Sequence, residues 1–413
     1  VCGGVASLTH VWKKWSYKDR IVDGIIPESV KRQLPVKTGK YCKFLGFTKL
    51  KTGGPKGKRI QASMNFLKFL KTKEGRKYRR FEEKEVWSGS WETNSSLLSE
   101  MTKPPSTKLT YAEIRRTIAA RSGIDLHLPI LRAPVKIEVT RAAVMADKFP
   151  GVLSSHLFSK TRGTVYEYTS ALAGALWDLL KERSLPCLEP YTIGAREKAI
   201  NLEKDGQAAT RMIMMSEDVV GKLATPFVDN WVGAIRFFRD GAIYIAQSIE
   251  ECGYIKFKED LTGYNSFCFH NDWEGYDNTL YEELMVSAVA IWRSSFPKSK
   301  HIDNIFLYIA SSLVFKYVVL PGGFLYRIDK GLPSGSKATS LVNTICNWIV
   351  VSFAFCDHLE WDPQLVRRTQ LKLQGDDGAG KVPGHVSWIN CQKSFDKTGL
   401  VTKNVELNFG PFA

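Results

Sequence analysis

Two aspartates side by side, Asp376 and Asp377, close the stretch Leu371-Lys-Leu-Gln-Gly-Asp-Asp-Gly378, and no other feature of the chain demands so much of its surroundings. Leu371 and Leu373 alternate with Lys372 and Gln374, the period of a half-buried strand. Asp377-Gly378 then predicts a tight hairpin turn, because glycine takes the positive φ that such loops need. Adjacent carboxylates at a strand tip repel each other by roughly a few kcal/mol in a partly screened site, so water or a divalent cation must offset them. A solvated turn asks nothing more of the chain. A metal site asks for a second carboxylate at another strand end and a surface for phosphates, because Mg²⁺ is usually held by carboxylates together with substrate phosphates.

The second carboxylate lies upstream, in Asn265-Ser-Phe-Cys-Phe-His-Asn-Asp-Trp-Glu-Gly-Tyr-Asp277. Phe267 and Phe269 alternate with polar neighbours up to Asp272, and beyond Gly275 the apolar positions take helical spacing. Asp272 is thus expected at a strand end and Asp277 at the opening of a helix, where a capping Asp277 beside a solvated Asp272 is the plainer alternative. Between the two carboxylate sites, Gly331-Leu-Pro-Ser-Gly335 feeds a helix expected from Ser336 to His358. Thr339, Asn343 and Asn347 recur on it every four residues as a polar stripe on an apolar helix. Unpaired buried amides cost about 1–3 kcal/mol each, so the stripe is either satisfied internally or faces a polar ligand. Earlier still, Arg196, Lys198, Lys204 and Arg211 flank Gly194 and Gly206, and Met212 to Met215 reads as a buried strand or short helix. Such a ribbon holds a triphosphate, since guanidinium groups match phosphate oxygens bidentately, or is a solvated basic loop.

Charge favours a polyanionic partner. Lys and Arg outnumber Asp and Glu by 58 to 42, for a net charge of +16 and a pI near 9.3. The excess is clustered, as in Lys56-Gly-Lys-Arg59 and in Lys71 to Arg80, where six of ten residues are Lys or Arg. With 413 residues, 44% of them hydrophobic, the chain can fill a large core and is not disordered. Its eight cysteines show no zinc spacing and fit free thiols in a reducing compartment. The most apolar stretch, Leu341 to Cys356, is shorter than the roughly 20 residues of a spanning helix, and no membrane segment or signal peptide is expected. Thr52-Gly-Gly-Pro-Lys-Gly-Lys-Arg59 departs from a phosphate-binding loop at both ends and reads as a basic loop. Lys103-Pro-Pro-Ser106 marks a break before a helix from Leu109 to Ala120, led by Thr110 with Glu113 three residues on, and Ser170 to Arg183 carries a helical apolar face. An opening Val1 rather than Met fits a fragment or processed piece.

In order along the chain, Asp272-x4-Asp277, Ser334-Gly335-x3-Thr339-x3-Asn343 and Gly375-Asp376-Asp377 resemble motifs A, B and C of viral RNA-dependent RNA polymerases, and the ribbon around Arg211 resembles motif F. The wording Asp-Trp-x-x-Tyr-Asp and Gly-Leu-Pro-Ser-Gly-Ser is most similar to polymerases of double-stranded RNA viruses of the partitivirus and picobirnavirus type. The resemblance implies an α+β right-hand polymerase with an antiparallel palm sheet and helical fingers. It divides the chain into a basic N-terminal region extending the fingers (1–105), fingers with the basic ribbon 191–229 (106–264), palm (265–292), a fingers insertion (293–330) and palm again (331–413). Only 36 residues follow Asp377, so a thumb is expected to be missing. The implied activity is template-directed RNA synthesis for viral replication and transcription, with two Mg²⁺ or Mn²⁺ ions on Asp272, Asp376 and Asp377 as the catalytic and metal-binding carboxylates. Arg196, Lys204 and Arg211 would clamp the triphosphate, Asp277 and Asn343 with Thr339 would read the ribose, and Ser334 and Gly335 would lie by the templating pair. Implied partners are template and nascent RNA, NTPs and capsid protein, in host cytoplasm or inside a particle. A general acid among Lys393, Lys397 and Lys403 stays unranked. A reverse transcriptase and a non-catalytic RNA-binding module are the competing readings.

Overall fold

The computed structural model describes residues 2–15, 28–31, 33–50, 52, 58–60, 64–77, 85–88, 90–158, 161–196, 198–200, 211–238, 241–245, 261, 266–383 and 388–409. The fold is mixed α/β, and its described strands form three sheets. One is four-stranded and wholly antiparallel, in the order β10 (Gln370–Gln374), β11 (Asp377–Pro383), β7 (Ser266–Trp273), β12 (Thr402–Phe409). A five-stranded sheet has the order β1 (Cys42–Phe47), β9 (Phe324–Ile328), β8 (Lys316–Leu320), β4 (Pro190–Arg196), β6 (Arg211–Met215), and only β4 and β8 run parallel. The third is small: β2 (Lys58–Ile60), β3 (Glu85–Ser88), β5 (Lys198–Ile200). Met212 to Met215 is therefore strand, and the basic ribbon's two ends, β4 and β6, pair with each other.

The helices that position the site are α1 (Cys2–Lys14), α2 (Trp91–Thr102), α3 (Tyr111–Arg121), α4 (Tyr166–Glu182), α5 (Asp218–Ile235), α6 (Tyr276–Thr279), α7 (Glu282–Arg293), α8 (Lys300–Val314), α9 (Thr339–His358), α10 (Pro363–Arg368) and α11 (Trp388–Asp396). The expected cap of α3 is present. Thr110 accepts from the Glu113 amide while Glu113 reaches back to the Thr110 amide (2.7 Å), which satisfies two orphan donors of the first turn. Helix α9 is the axle of the larger core, packed by α3, α7 and α11 and lying against β10. At 20 residues it is long and apolar enough to cross a membrane, so the length reasoning applied to Leu341–Cys356 does not hold. Instead its apolar side chains are buried inside the fold. A second core lies on the five-stranded sheet, where Leu98 and Met101 of α2 meet Met212, Met214, Tyr326 and Ile328.

Described parts of residues 1–105 pack directly on later elements. Strand β1 pairs with β9, and Trp12 of α1 donates to Glu282 Oε1 of α7 (2.9 Å) and stacks on Phe315. Lys56 and Gly57 of the basic loop, with Lys204 and Gly206 of the ribbon, lie outside the described residues. Of the cysteines, Cys42, Cys187, Cys268, Cys346, Cys356 and Cys391 are buried free thiols.

The aspartate hairpin turns two residues earlier than the Asp377-Gly378 signal indicated. Gln374 pairs with Asp377, so the two-residue loop is Gly375-Asp376, and the left-handed residue is Gly375 (φ +63°). A glycine at the first central position is what one of the two favoured hairpin turns requires. Gly378 instead lies within β11, where a Cβ would stand 2.3 Å from the Asn271 side-chain amide and 2.8 Å from Leu373 Cδ2. That glycine serves close packing against β7, not the turn. Asp376 thus sits at the tip and Asp377 inside the first ladder pair.

Candidate active site

The site gathers where the four-stranded sheet meets β6. Gly378 pairs with Asn271, so continuing the register one step places Asp377 across from Asp272. Their charges couple. Burial raises the Asp377 carboxyl above the ordinary range, Asp376 and Asp272 raise it further, and His270 opposes them. Asp272 meets an ammonium, Lys403 Nζ of β12, at 3.2 Å. This separates Lys403 from Lys397, which is held by Asp357 (2.8 Å).

Asp277 is the most elaborately held carboxylate of the group. Gly275, at φ +56°, turns the chain from β7 into α6, and Asp277 lies in that first turn. Its Oδ1 accepts from Asn343 Nδ2 of α9 (2.8 Å), and its Oδ2 lies 3.6 Å from Arg211 of β6. Burial raises its carboxyl, Arg211 lowers it, Asp376 raises it and the Asn343 hydrogen bond lowers it. Asn343 Oδ1 is buried with no hydrogen-bond partner among the described residues. An orphaned acceptor of this kind costs about 1–3 kcal/mol unless a donor comes to it.

Arg196 and Arg211 are paired directly across β4 and β6. Like charges opposite each other in a ladder are destabilising, and a polyanion between them would relieve the repulsion. Arg211 keeps 54% of its side chain exposed despite its contact with Asp277. Both arginines line a cleft of about 730 Å³ together with Asp277, Ser334, Asp376 and Lys403. An adjoining recess of about 260 Å³ shares Arg196, Arg211, Asp277, Ser334 and Asp376 and adds Thr339, Asn343 and Gly375. Cationic and anionic side chains therefore share one cleft of a size usual for small-molecule sites.

The loop before α9 closes the floor by backbone contacts. Gly335 N–H donates to Met214 O (3.0 Å), and a Cβ on Gly335 would stand 2.3 Å from that oxygen. Ser334 Oγ donates to Met212 O (3.2 Å), and Thr339 Oγ1 donates to Pro333 O (2.5 Å). Leu332 N–H donates to Asp277 O (2.7 Å), which ties the loop to α6 as well. Ser334 and Thr339 still line the cleft, but the Ser334 hydroxyl is engaged by β6 and the Thr339 hydroxyl by the loop, and Gly335 contributes close packing on β6.

Of the polar stripe, Asn347 takes the internal solution and Asn343 only half of it. Asn347 Nδ2 donates to Gly375 O (3.1 Å) and Asp377 O (3.2 Å), while its Oδ1 accepts from Trp273 Nε1 (3.1 Å). Leu97 and Met101 of α2 form an apolar wall of the cleft that nothing in their local sequence announced. Lys204 lies outside the described residues.

Among the described residues no three His, Cys, Asp or Glu side chains gather into a ready-made metal group. The charges of Asp272 and Asp376 nonetheless both reach Asp377, and an all-oxygen donor set suits a hard divalent cation completed by substrate phosphates.

Residues 252–400 match the family model described as viral RNA-dependent RNA polymerase. The match spans about a third of the chain. It contains Asp272, Asp277, the Ser334–Asn343 loop and helix, Asp376 and Asp377. Arg196 and Arg211 fall outside it, so the geometry alone joins them to the site. The non-structural polyprotein 1AB of mink astrovirus 1 is 21% identical over 171 residues, covering 39% of this chain and 12% of the polyprotein. The genome polyprotein of a Norwalk strain norovirus is 23% identical over 193 residues, covering 45% of this chain and 10% of the polyprotein. The matches thus span about a tenth of those relatives' length.

Proposed function

We propose that this chain performs template-directed RNA synthesis, joining NTPs to an RNA 3′-hydroxyl in viral genome replication and transcription. The observation that carries this reading is the shared cleft. Paired arginines on β4 and β6 share one cleft with Asp376 and Asp277, and Arg211 meets Asp277 within it. In this reading the four-stranded sheet is the palm, β4 and β6 belong to the fingers, and the division of the chain follows the boundaries given above. Asp272 and Asp376 would hold two Mg²⁺ or Mn²⁺ ions, with Asp377 in support. The ions supply activation of the attacking hydroxyl and neutralisation of charge on the triphosphate and departing pyrophosphate.

The chain's own residues do the rest by position and charge, as phosphoryl transfer chiefly requires. Arg196 and Arg211 clamp phosphate oxygens, with Lys204 of the same ribbon assigned to them by resemblance alone. Asp277, anchored by Asn343, and the orphaned Asn343 Oδ1 are the two alternative acceptors for the proton of the ribose 2′-hydroxyl in this recess. A buried acceptor that a 2′-hydroxyl can satisfy and a deoxyribose cannot favours ribonucleotides and argues against deoxynucleotide synthesis. Template, nascent RNA and NTPs are the partners this implies, with capsid protein as a further one, inside a host cell or a viral particle. Placement beside double-stranded RNA viruses rests on the wording of Asp272–Asp277 and Gly331–Ser336.

Primer extension on an RNA template with Mg²⁺ or Mn²⁺ tests the reading. The wild-type chain should extend with NTPs, and Asp376→Ala should reduce the rate at least a hundredfold. Equal synthesis by both proteins would refute the metal assignment. Preference for dNTPs would refute RNA synthesis.

A further inference from the structure

We infer that Asn347 and Thr344 form a clamp that sets the position of the aspartate hairpin relative to β7, and that they are positioning residues for the proposed RNA synthesis, on which this inference rests. Neither side chain lines the cleft. Both are fully buried, one turn apart on α9, with their polar atoms spent on the backbone of the hairpin loop. Thr344 Oγ1 accepts from Gly375 N–H (2.8 Å) and donates to Ser340 O of its own helix (2.7 Å). Asn347 Nδ2 bridges the carbonyls of Gly375 and Asp377, one on each side of Asp376. Its Oδ1 takes the indole N–H of Trp273, the residue after Asp272. With its amide turned so that its nitrogen donates to Gly378 O (3.3 Å), Asn271 offers its oxygen to the same indole N–H (2.8 Å).

A short hairpin loop ordinarily turns its polar backbone groups to solvent. Here Gly375 N–H, Gly375 C=O and Asp377 C=O are instead claimed by one helix, and the same amide reaches the strand that carries Asp272. One side chain therefore joins both carboxylate-bearing segments to the helix that carries Asn343. Small displacements matter at such a site, because misplacing reacting groups by about 1 Å can cost on the order of a hundredfold in rate. The contacts also explain the third member of the polar stripe, whose period matches Asn343 without sharing its exposure to the cleft.

Amide hydrogen exchange on the full chain, paired with primer extension, separates this role from general stability. Thr344→Val keeps the shape and removes the hydroxyl, Thr344→Ser restores it, and Asn347→Ala removes the bridge. The expected result is exchange at Gly375 to Asp377 at least tenfold faster in Thr344→Val and Asn347→Ala, with Leu371 and Leu373 unchanged and Thr344→Ser like wild type. In extension, kcat falls at least tenfold in the same two variants while the KM for NTP stays within twofold. Wild-type exchange at the hairpin in both variants would overturn the clamp, and so would an unchanged kcat with a raised KM. A wild-type chain that makes no RNA, with exchange responding as expected, removes the RNA-synthesis reading and leaves the clamp standing.

Discussion

Asn343→Ala is the most direct probe of the recess. The substitution deletes a 2.8 Å hydrogen bond to the half-buried Asp277 and the unpartnered acceptor Oδ1. A hydrogen bond to a charged group contributes about 1.5–3 kcal/mol. If that interaction acts chiefly when a ribose is bound, each 1.36 kcal/mol is about tenfold in rate, so discrimination changes by roughly ten- to a hundredfold. Single-nucleotide extension measures it as the ratio of kcat/KM for an NTP to that for its 2′-deoxy analogue. The ratio should fall, mainly through loss of NTP efficiency. The electrostatics add a second signature. Burial already raises the Asp277 carboxyl, and the Asn343 bond is one of the contacts holding it down. Without that bond the carboxyl rises further, so the acid limb of the pH–rate profile moves to higher pH. A variant that makes RNA with the wild-type ratio, within twofold, and an unmoved acid limb would refute ribose recognition by this pair.

Gly378→Ala should destabilise the chain by about 1–3 kcal/mol through overpacking, because the new Cβ meets Asn271 and Leu373, and chemical denaturation would show it. Gly335→Ala pushes a Cβ against a backbone oxygen of β6 and should displace the cleft floor, raising the KM for NTPs at least severalfold in steady-state extension. Arg211→Ala should raise the same KM about tenfold and lessen its dependence on salt, since the exposed guanidinium is expected to meet phosphate. Glu189 offers a test away from the site. Burial, with Glu217 adding to it against a hydrogen bond from Tyr308, raises its carboxyl to about 7. A folded-state value above the unfolded one favours folding fully below pH about 4.5 and loses that contribution as pH rises through 7, up to roughly 3 kcal/mol. Thermal midpoints between pH 5 and 8 should therefore fall more steeply for wild type than for Glu189→Gln, and parallel curves would refute the assignment.

Much of this site could be read from local chemistry. The alternation in Leu371–Gln374, the strand ending near Asp272, the capping box at Thr110 and the glycine-led loop into α9 are short-range patterns, and short-range physics produced them. Local signals failed where two signals of the same kind stood close together. Both Gly375 and Gly378 could have made the hairpin turn. Only pairing of Gln374 with Asp377, and the packing of Asn271 against Gly378, decided which glycine turns and which one makes room. The polar stripe shows the same limit. Thr339, Asn343 and Asn347 share a face by helical period, yet the loop engages the first, the cleft half-satisfies the second and the hairpin takes the third wholly.

Residue type and spacing alone supply the inventory: paired carboxylates at strand ends, a basic ribbon, an amide-bearing helix, and a net charge suited to a polyanion. The chain carries these wherever it folds. The partnerships come from long-range packing, because they cross between segments far apart in the chain. Arg211 meets Asp277, Lys403 meets Asp272, and Leu97 and Met101 wall the cleft through contacts that no local pattern encodes. The aspartate pair shows the division most plainly. Its charge is a property of two neighbouring residues, but what divides Asp376 at the tip from Asp377 in the ladder is a register set by β7 and a clamp set by α9.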